Sequence, residues 1–142
     1  MRVVFYVPGR PVPKARPRVT KKGYAYTPRK TMAFEQSVVL AYRKSKAGGK
    51  QFPEGVPLLM ELTFTFEPPK SWSKARREEV IRRGMCPTCR PDLDNLMKGV
   101  ADALNGVAYK DDGQIAGAVI RKQYGRKDNT RVIIETMEKQ EG

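Results

Sequence analysis

PLLMELTFTFEPP, residues 57–69, alternates Met60, Leu62, Phe64 and Phe66 with Leu59, Glu61, Thr63 and Thr65. Successive side chains of a β-strand point to opposite faces, so this stretch predicts a strand, stopped by the paired prolines. It places a sheet in the middle of the chain. Upstream, RVVFYVPG (residues 2–9) reads as another strand, ended by Pro8-Gly9. Pro11, Pro13 and Pro17 then prevent regular ladder pairing and predict an extended basic loop over about residues 9–27, with a short hairpin around Lys22-Gly23. Thr27-Pro28 has the character of a helix start, for a helix from Pro28 to about Lys46 that stops before Gly48-Gly49.

Downstream, a second helix is expected from Ser71 or Ser73 through KARREEVIRR to Gly84. The loop GMCPTCRP follows, then a third helix from about Asp92 to Leu104, stopped by Asn105-Gly106. QIAGAVIRKQY and TRVIIETME are two further strands, with a turn between Gly125 and Asn129. The order β, α, β, α, α, β, β predicts an α+β fold, a mixed sheet packed with helices. At 142 residues one core is expected, a single domain over residues 1–142 that buries about 68–70% of its unfolded surface.

Charge is unevenly spread. Residues 1–50 carry a net +12, residues 51–91 a net +2 and residues 92–142 a net −1. A basic front of that strength attracts polyanions, nucleic acid above all, although charge also serves solubility. No apolar run approaches the roughly 20 residues of a bilayer span, and Val3–Val7 is too short for a signal peptide. Two cysteines, Cys86 and Cys89, do not make a disulfide framework, so a reducing cytoplasm is expected and no membrane.

Five of the six aspartates lie between residues 92 and 112. On a helical wheel Leu93, Leu96, Met97, Val100 and Leu104 form the buried stripe of the third helix, while Asp94, Lys98 and Asp102 follow at i, i+4, i+8 on its open face. These residues also suit a helix with no chemistry, Asp92 as its cap and Asp94-Lys98-Asp102 as solvated ion pairs. Asp111 and Asp112 lie in the KDDGQ turn, which the fold is expected to bring back to the helix N-terminus. Two carboxylates about 4 Å apart repel by ~4 kcal/mol at an effective dielectric near 20, so a cluster calls for protons or a cation. Mg²⁺ prefers such oxygens and leaves positions for a phosphate. The chain has no histidine, so hydrolysis here would rest on metal-activated water, with Asp92, Asp94 and Asp112 on the metal and Lys98 facing the developing charge or orienting the water.

RPDLDNLMKGVADALNGVAYKDDGQI, residues 90–115, resembles the signature of the RusA family of Holliday junction resolvases, and VPGRPVPKARPR and SWSKARREE resemble its bacterial and phage members. The resemblance implies that Asp92, Asp94 and Asp112 bind the metal, that Lys98 is the essential lysine, and that residues of about 90–115 are the catalytic region. It implies a homodimer paired through its sheet, Mg²⁺ or Mn²⁺ and no organic cofactor. Its substrate would be a four-way DNA junction nicked symmetrically on two opposing strands, in recombination and repair in a bacterial or phage-infected cell or a prophage. Asp102, two turns beyond Asp94 and roughly 12 Å away, is placed off the metal.

Lys14, Arg16, Arg18, Lys21 and Lys22, with Tyr24 and Tyr26 nearby, form a segment suited to gripping phosphate and stacking on bases. Arg16→Ala and Arg18→Ala are expected to weaken binding and flatten its salt dependence. Cys86 and Cys89, spaced C-x-x-C, offer half of a zinc site that a two-fold dimer would complete, or are free thiols. Three readings stand side by side here: a junction-resolving metal endonuclease, a non-catalytic branched-DNA-binding or architectural protein, and a metal nuclease for flaps or duplex.

Overall fold

The computed structural model describes residues 1–15 and 18–137. Arg16 and the side chain of Arg18 lie outside the described residues. The chain runs through strand β1 (Arg2–Pro8), the two-residue strands β2 (Arg18–Val19) and β3 (Ala25–Tyr26), helix α1 (Arg29–Lys44) and strand β4 (Leu58–Phe66). It continues through helix α2 (Lys74–Arg82), helix α3 (Leu93–Leu104), a 3-10 turn (Asp112–Gln114), and strands β5 (Ile115–Tyr124) and β6 (Asn129–Thr136). This is the expected α+β fold.

The main sheet has the order β1-β6-β4-β5. β6 runs antiparallel to both β1 and β4, and β4 and β5 are parallel. The alternation of residues 57–69 explains β4's central place: Leu58, Met60, Leu62 and Phe64 are buried on one face, beside Val3, Phe5 and Val7 of β1 and Val132 and Ile134 of β6. Helices α1 and α3 close that face. Phe34, Val38 and Tyr42 recur every four residues on α1, as do Leu96, Val100 and Leu104 on α3, so each helix buries one stripe. Phe5 and Tyr42 meet edge to face with ring centroids 5.7 Å apart.

A parallel pair needs a crossover connection, and α3 supplies it. The chain leaves the C-terminal end of β4, returns along α3, and enters β5 at its opposite end. Lys122 Nζ, near the end of β5, donates to the carbonyls of Cys89 (2.9 Å) and Pro91 (3.0 Å), just ahead of α3. At the other end, the amide of Asp112, just before β5, donates to Oδ1 of Asn105, the residue that closes α3. Helix and strand therefore run antiparallel, pinned at both ends. Among the described residues no helix is long and apolar enough to cross a membrane.

One boundary differs from expectation and one agrees with it. Thr27 does not open α1: the helix begins after Pro28, with no side-chain cap. Ser73 is the start of α2, its side chain accepting from the amide of Arg76 at 3.2 Å.

Candidate nuclease site

Helix α3 starts at Asp92, which has extended backbone angles and whose carbonyl accepts the first helical bond, from the amide of Leu96 at 3.1 Å. The Asp92 side chain makes no capping bond. Asp94, in the first turn, is exposed, and neither carboxylate has a hydrogen-bond or ion-pair partner among the described residues. Both carboxylates are therefore open to a cation. Asp92 borders a cleft of about 570 Å³ whose rim includes Arg10, Lys14, Lys30, Arg90 and Asn95. Arg10 lies over the ring of Phe66 (5.1 Å) and 3.6 Å from Asp128. The cleft is thus cationic, with one acidic lip.

The segment ahead of the hairpin is held directly on α3. The amide of Lys14 donates to the carbonyl of Asn95 at 2.9 Å. Lys14 Nζ donates to Glu35 of α1 at 2.7 Å and stands 3.5 Å from Asp102, which is also 3.4 Å from Lys98. Glu35, Lys14, Asp102 and Lys98 form one chain of alternating charge. The hydrogen bond to Glu35 raises the Lys14 pKa above 10.5, against the opposing effect of burial and with the help of Asp102. Lys14, expected among the phosphate-binding residues, is engaged by two carboxylates here. Asp102, expected on the open face, is three-quarters covered. Lys98 stays exposed, aimed along the helix by Asp102.

Asp112 corrects the expectation for the KDDGQ turn. Its amide bond to Asn105 puts it at the C-terminal end of α3. Asp92 and Asn105 are thirteen residues apart, about 20 Å at 1.5 Å per residue, and Asp94 is about 16 Å from Asn105. The route along β5 gives the same answer, since Ile115 and Lys122 are separated by about 23 Å of strand. The parallel crossover is the cause: a helix that returns antiparallel to the strands delivers the following turn to the far end. The turn itself is closed locally, the side chain of Asp111 accepting from the backbone of Gln114 and the amide of Asp111 facing Gln114 Oε1 at 3.5 Å. Tyr109 packs beneath it, fully buried, its hydroxyl donating to the carbonyl of Ala101 at 2.6 Å. Burial, then the charges of Asp112 and Asp102, push that hydroxyl's pKa up.

Among the described residues no three Asp, Glu or Cys side chains come together as a ligand group. Asp92 and Asp94 by themselves fit a hard divalent ion, which typically takes one or two carboxylates and fills its other positions with water and phosphate oxygens. The trio Asp92, Asp94 and Asp112 does not fit one ion within one chain. Cys86 and Cys89 are exposed free thiols in the loop pinned by Lys122.

The hairpin β2–β3 carries Lys21 and Lys22 at an exposed tip, closed by the amide of Gly23 on the carbonyl of Thr20 at 2.9 Å. Gly23 has φ +84°, a conformation that favours glycine. Tyr24 is 71% and Tyr26 47% exposed, so their rings are available for stacking. The sequence did not single out Lys30 or Arg90 as site residues. Arg90 precedes the acidic signature and was legible as a flanking cation, whereas Lys30 reaches the cleft only through the placement of α1.

A family model described as endodeoxyribonuclease RusA matches residues 8–136. The chain is also 34% identical over 140 residues to an uncharacterized protein, YqaN, of Bacillus subtilis (strain 168), an alignment that spans 93% of this chain and 94% of that protein.

Proposed function

The chain belongs to the endodeoxyribonuclease RusA family, and from that premise we propose that it resolves four-way DNA junctions by paired, symmetric, metal-dependent nicks. The observation that carries this reading is the pair Asp92 and Asp94 at the start of α3, carboxylates without partners among the described residues, with Asp92 on the lip of a cationic cleft. An ordinary helix cap would account for Asp92 only if its side chain bonded the first turn, and it does not. That difference favours the enzyme over the architectural protein.

Asp92 and Asp94 would hold the divalent ion, Mg²⁺ or Mn²⁺. When bound, it supplies Lewis-acid polarisation of a phosphoryl oxygen and an acidified water. Lys98 donates to a non-bridging phosphate oxygen and stabilises the charge that develops there, its ammonium oriented by Asp102. Lys30 and Arg90 take flanking phosphates in the cleft. Lys21 and Lys22, with Arg16 and Arg18, extend the grip along the backbone, and Tyr24 offers a face to an unstacked base at the branch. The protein acts as a homodimer, in DNA recombination and repair in the cytoplasm of a bacterial or phage-infected cell.

Incubating the protein with an end-labelled four-way junction, a matched duplex and a flap, with Mg²⁺ or with EDTA, tests this reading. Symmetric nicks on the junction, absent with EDTA and in Asp94→Asn, are expected. Tight junction binding without cleavage in Mg²⁺ or Mn²⁺ would make it an architectural protein, and equal cutting of duplex or flap a broader nuclease.

A further inference from the structure

Helices α1 and α3 cover one face of the main sheet, and the side chains that alternate with the core point away from them on the other. The register across the four strands sets Tyr6 of β1 beside Arg131 of β6, Arg131 beside Thr63 of β4, and Thr63 beside Arg121 of β5. One row therefore crosses the sheet with an aromatic ring at its edge and two guanidinium groups further in, at about 4.8 Å per strand step. Lys122, the neighbour of Arg121, turns the other way, to the carbonyl of Pro91.

The row borders a shallow depression of about 430 Å³ that also takes in Arg126 and Lys127, from the turn between β5 and β6. That turn is folded down onto the sheet. A Cβ on Gly125 would collide with the side chain of Thr65, the amide of Gly125 donates to the carbonyl of Phe66 at 3.0 Å, and Asp128 Oδ1 accepts from the amide of Glu67 at 2.7 Å. Gln123 Nε2 donates to Thr65 Oγ1 at 3.1 Å and fixes the floor. Four cations line the depression and no carboxylate does. Arg126 is paired with Glu78 at 2.9 Å, whereas Arg121, Lys127 and Arg131 are exposed and have no ion-pair partner among the described residues. The acids of this face stand further along the sheet: Glu61 is one row away, about 7 Å along β4, and Glu135 lies 3.7 Å from Arg2.

We propose that this open face binds single-stranded DNA, with Arg121 and Arg131 taking phosphates and Tyr6 stacking on an unpaired base. Cations held in fixed positions without carboxylates among them attract a polyanion. The ring decides which one. Tyr6 is 61% exposed, and only a base that is neither paired nor already stacked can lie on it, since a duplex turns its phosphates outward and keeps its base faces inside. The sheet itself separates this row from Asp92 and Asp94, which belong to the helix side, so the face is a second site and its binding does not rest on the nuclease reading. Both sites nevertheless lie toward the same end of β4, because Phe66 lines the cleft and Thr65 borders the depression on the opposite face. An unpaired strand leaving the cleft around that end reaches Arg131 and Tyr6 over the surface.

The test follows the fluorescence anisotropy of a labelled oligothymidylate of about 16 nucleotides, the upper end of a single-strand site, with the full chain in EDTA so that cleavage plays no part. Arg121→Ala combined with Arg131→Ala is expected to lower the slope of log K against log salt by about 1.4, at roughly 0.7 per phosphate of a single strand. Tyr6→Leu is expected to weaken binding roughly 5- to 150-fold with the slope unchanged, while Tyr6→Phe, which keeps the ring, binds as the wild type does. A cross-link tests the face without any substitution. Iododeoxyuridine placed in the same oligonucleotide and irradiated on the wild type is expected to label Tyr6, read by mass spectrometry of the digested protein. Labelling confined to Tyr24 or Tyr26, or affinities unchanged in both variants, overturns the proposal. A matched duplex that binds as tightly, and loses affinity with the arginines but not with Tyr6→Leu, overturns it in favour of a duplex phosphate surface. An oligouridylate bound more tightly than the oligothymidylate overturns it in favour of RNA.

Discussion

Gly99 and Val12 meet with no side chain between them: a Cβ on Gly99 would stand 3.2 Å from the carbonyl oxygen of Val12 and 3.5 Å from the amide of Lys14. The approach allows the segment before the hairpin to lie flat on α3 and deliver Lys14 to Asp102. Gly99→Val fills that contact with a branched side chain and is expected to destabilise the protein by about 1–3 kcal/mol, measured as a lower urea midpoint with unchanged slope. An unchanged midpoint would mean that the segment is not seated on the helix.

Lys14 bridges two partly buried carboxylates, and removing it leaves both without their shared cation. Lys14→Met is expected to cost about 1 kcal/mol at neutral pH. The folded pKa lies above the unfolded value of 10.5, so the stabilisation is fully present below pH 10.5 and is lost as pH rises through the folded pKa. The stability difference between wild type and variant should therefore be flat from pH 7 to pH 10 and shrink above that. A difference that grows with pH would contradict the assigned partners.

Lys21 and Lys22, on the exposed hairpin tip, should act on DNA through charge alone. Replacing both by Ala is expected to reduce the slope of log K against log salt by about 1–2, since each phosphate contact contributes roughly 0.9. A lower affinity with the slope unchanged would place the hairpin away from the backbone.

Tyr109 caps the carbonyl of Ala101 from inside the core. Tyr109→Phe keeps the ring but strips the hydrogen bond, for an expected loss of about 1–2 kcal/mol in denaturant unfolding. A neutral effect would show that water or a backbone amide takes over the carbonyl.

Cys86 and Cys89 are exposed. Both thiols should react with a thiol reagent in the native protein, and freshly purified protein should carry zinc well below one ion per two chains. Stoichiometric zinc together with protected thiols would instead establish the intersubunit metal site that the C-x-x-C spacing allows.

The elements were legible because each is dictated locally. Alternation over residues 57–69 gives β4, Ser73 starts α2, and Asn105-Gly106 ends α3. The buried stripe of α3 followed from its period, with Leu96, Val100 and Leu104 fully enclosed and Leu93 and Met97 at the margins. What the sequence could not convey was direction. Whether the turn after α3 returns to Asp92 or departs from it depends on β4 and β5 being parallel, and two parallel strands carry the same pattern as two antiparallel ones. The engagement of Lys14 was hidden for a related reason. Glu35 and Asp102 are 21 and 88 residues away in sequence and meet it only when α1 and α3 pack side by side.

Helix α3 also sets a distance. Asp92, at its start, and Asn105, at its end, are held about 20 Å apart by thirteen residues at 1.5 Å each, and an added turn would lengthen that span by about 5.4 Å. The helix therefore works as a spacer that keeps the acidic lip of the cleft and the KDDGQ turn at a fixed separation.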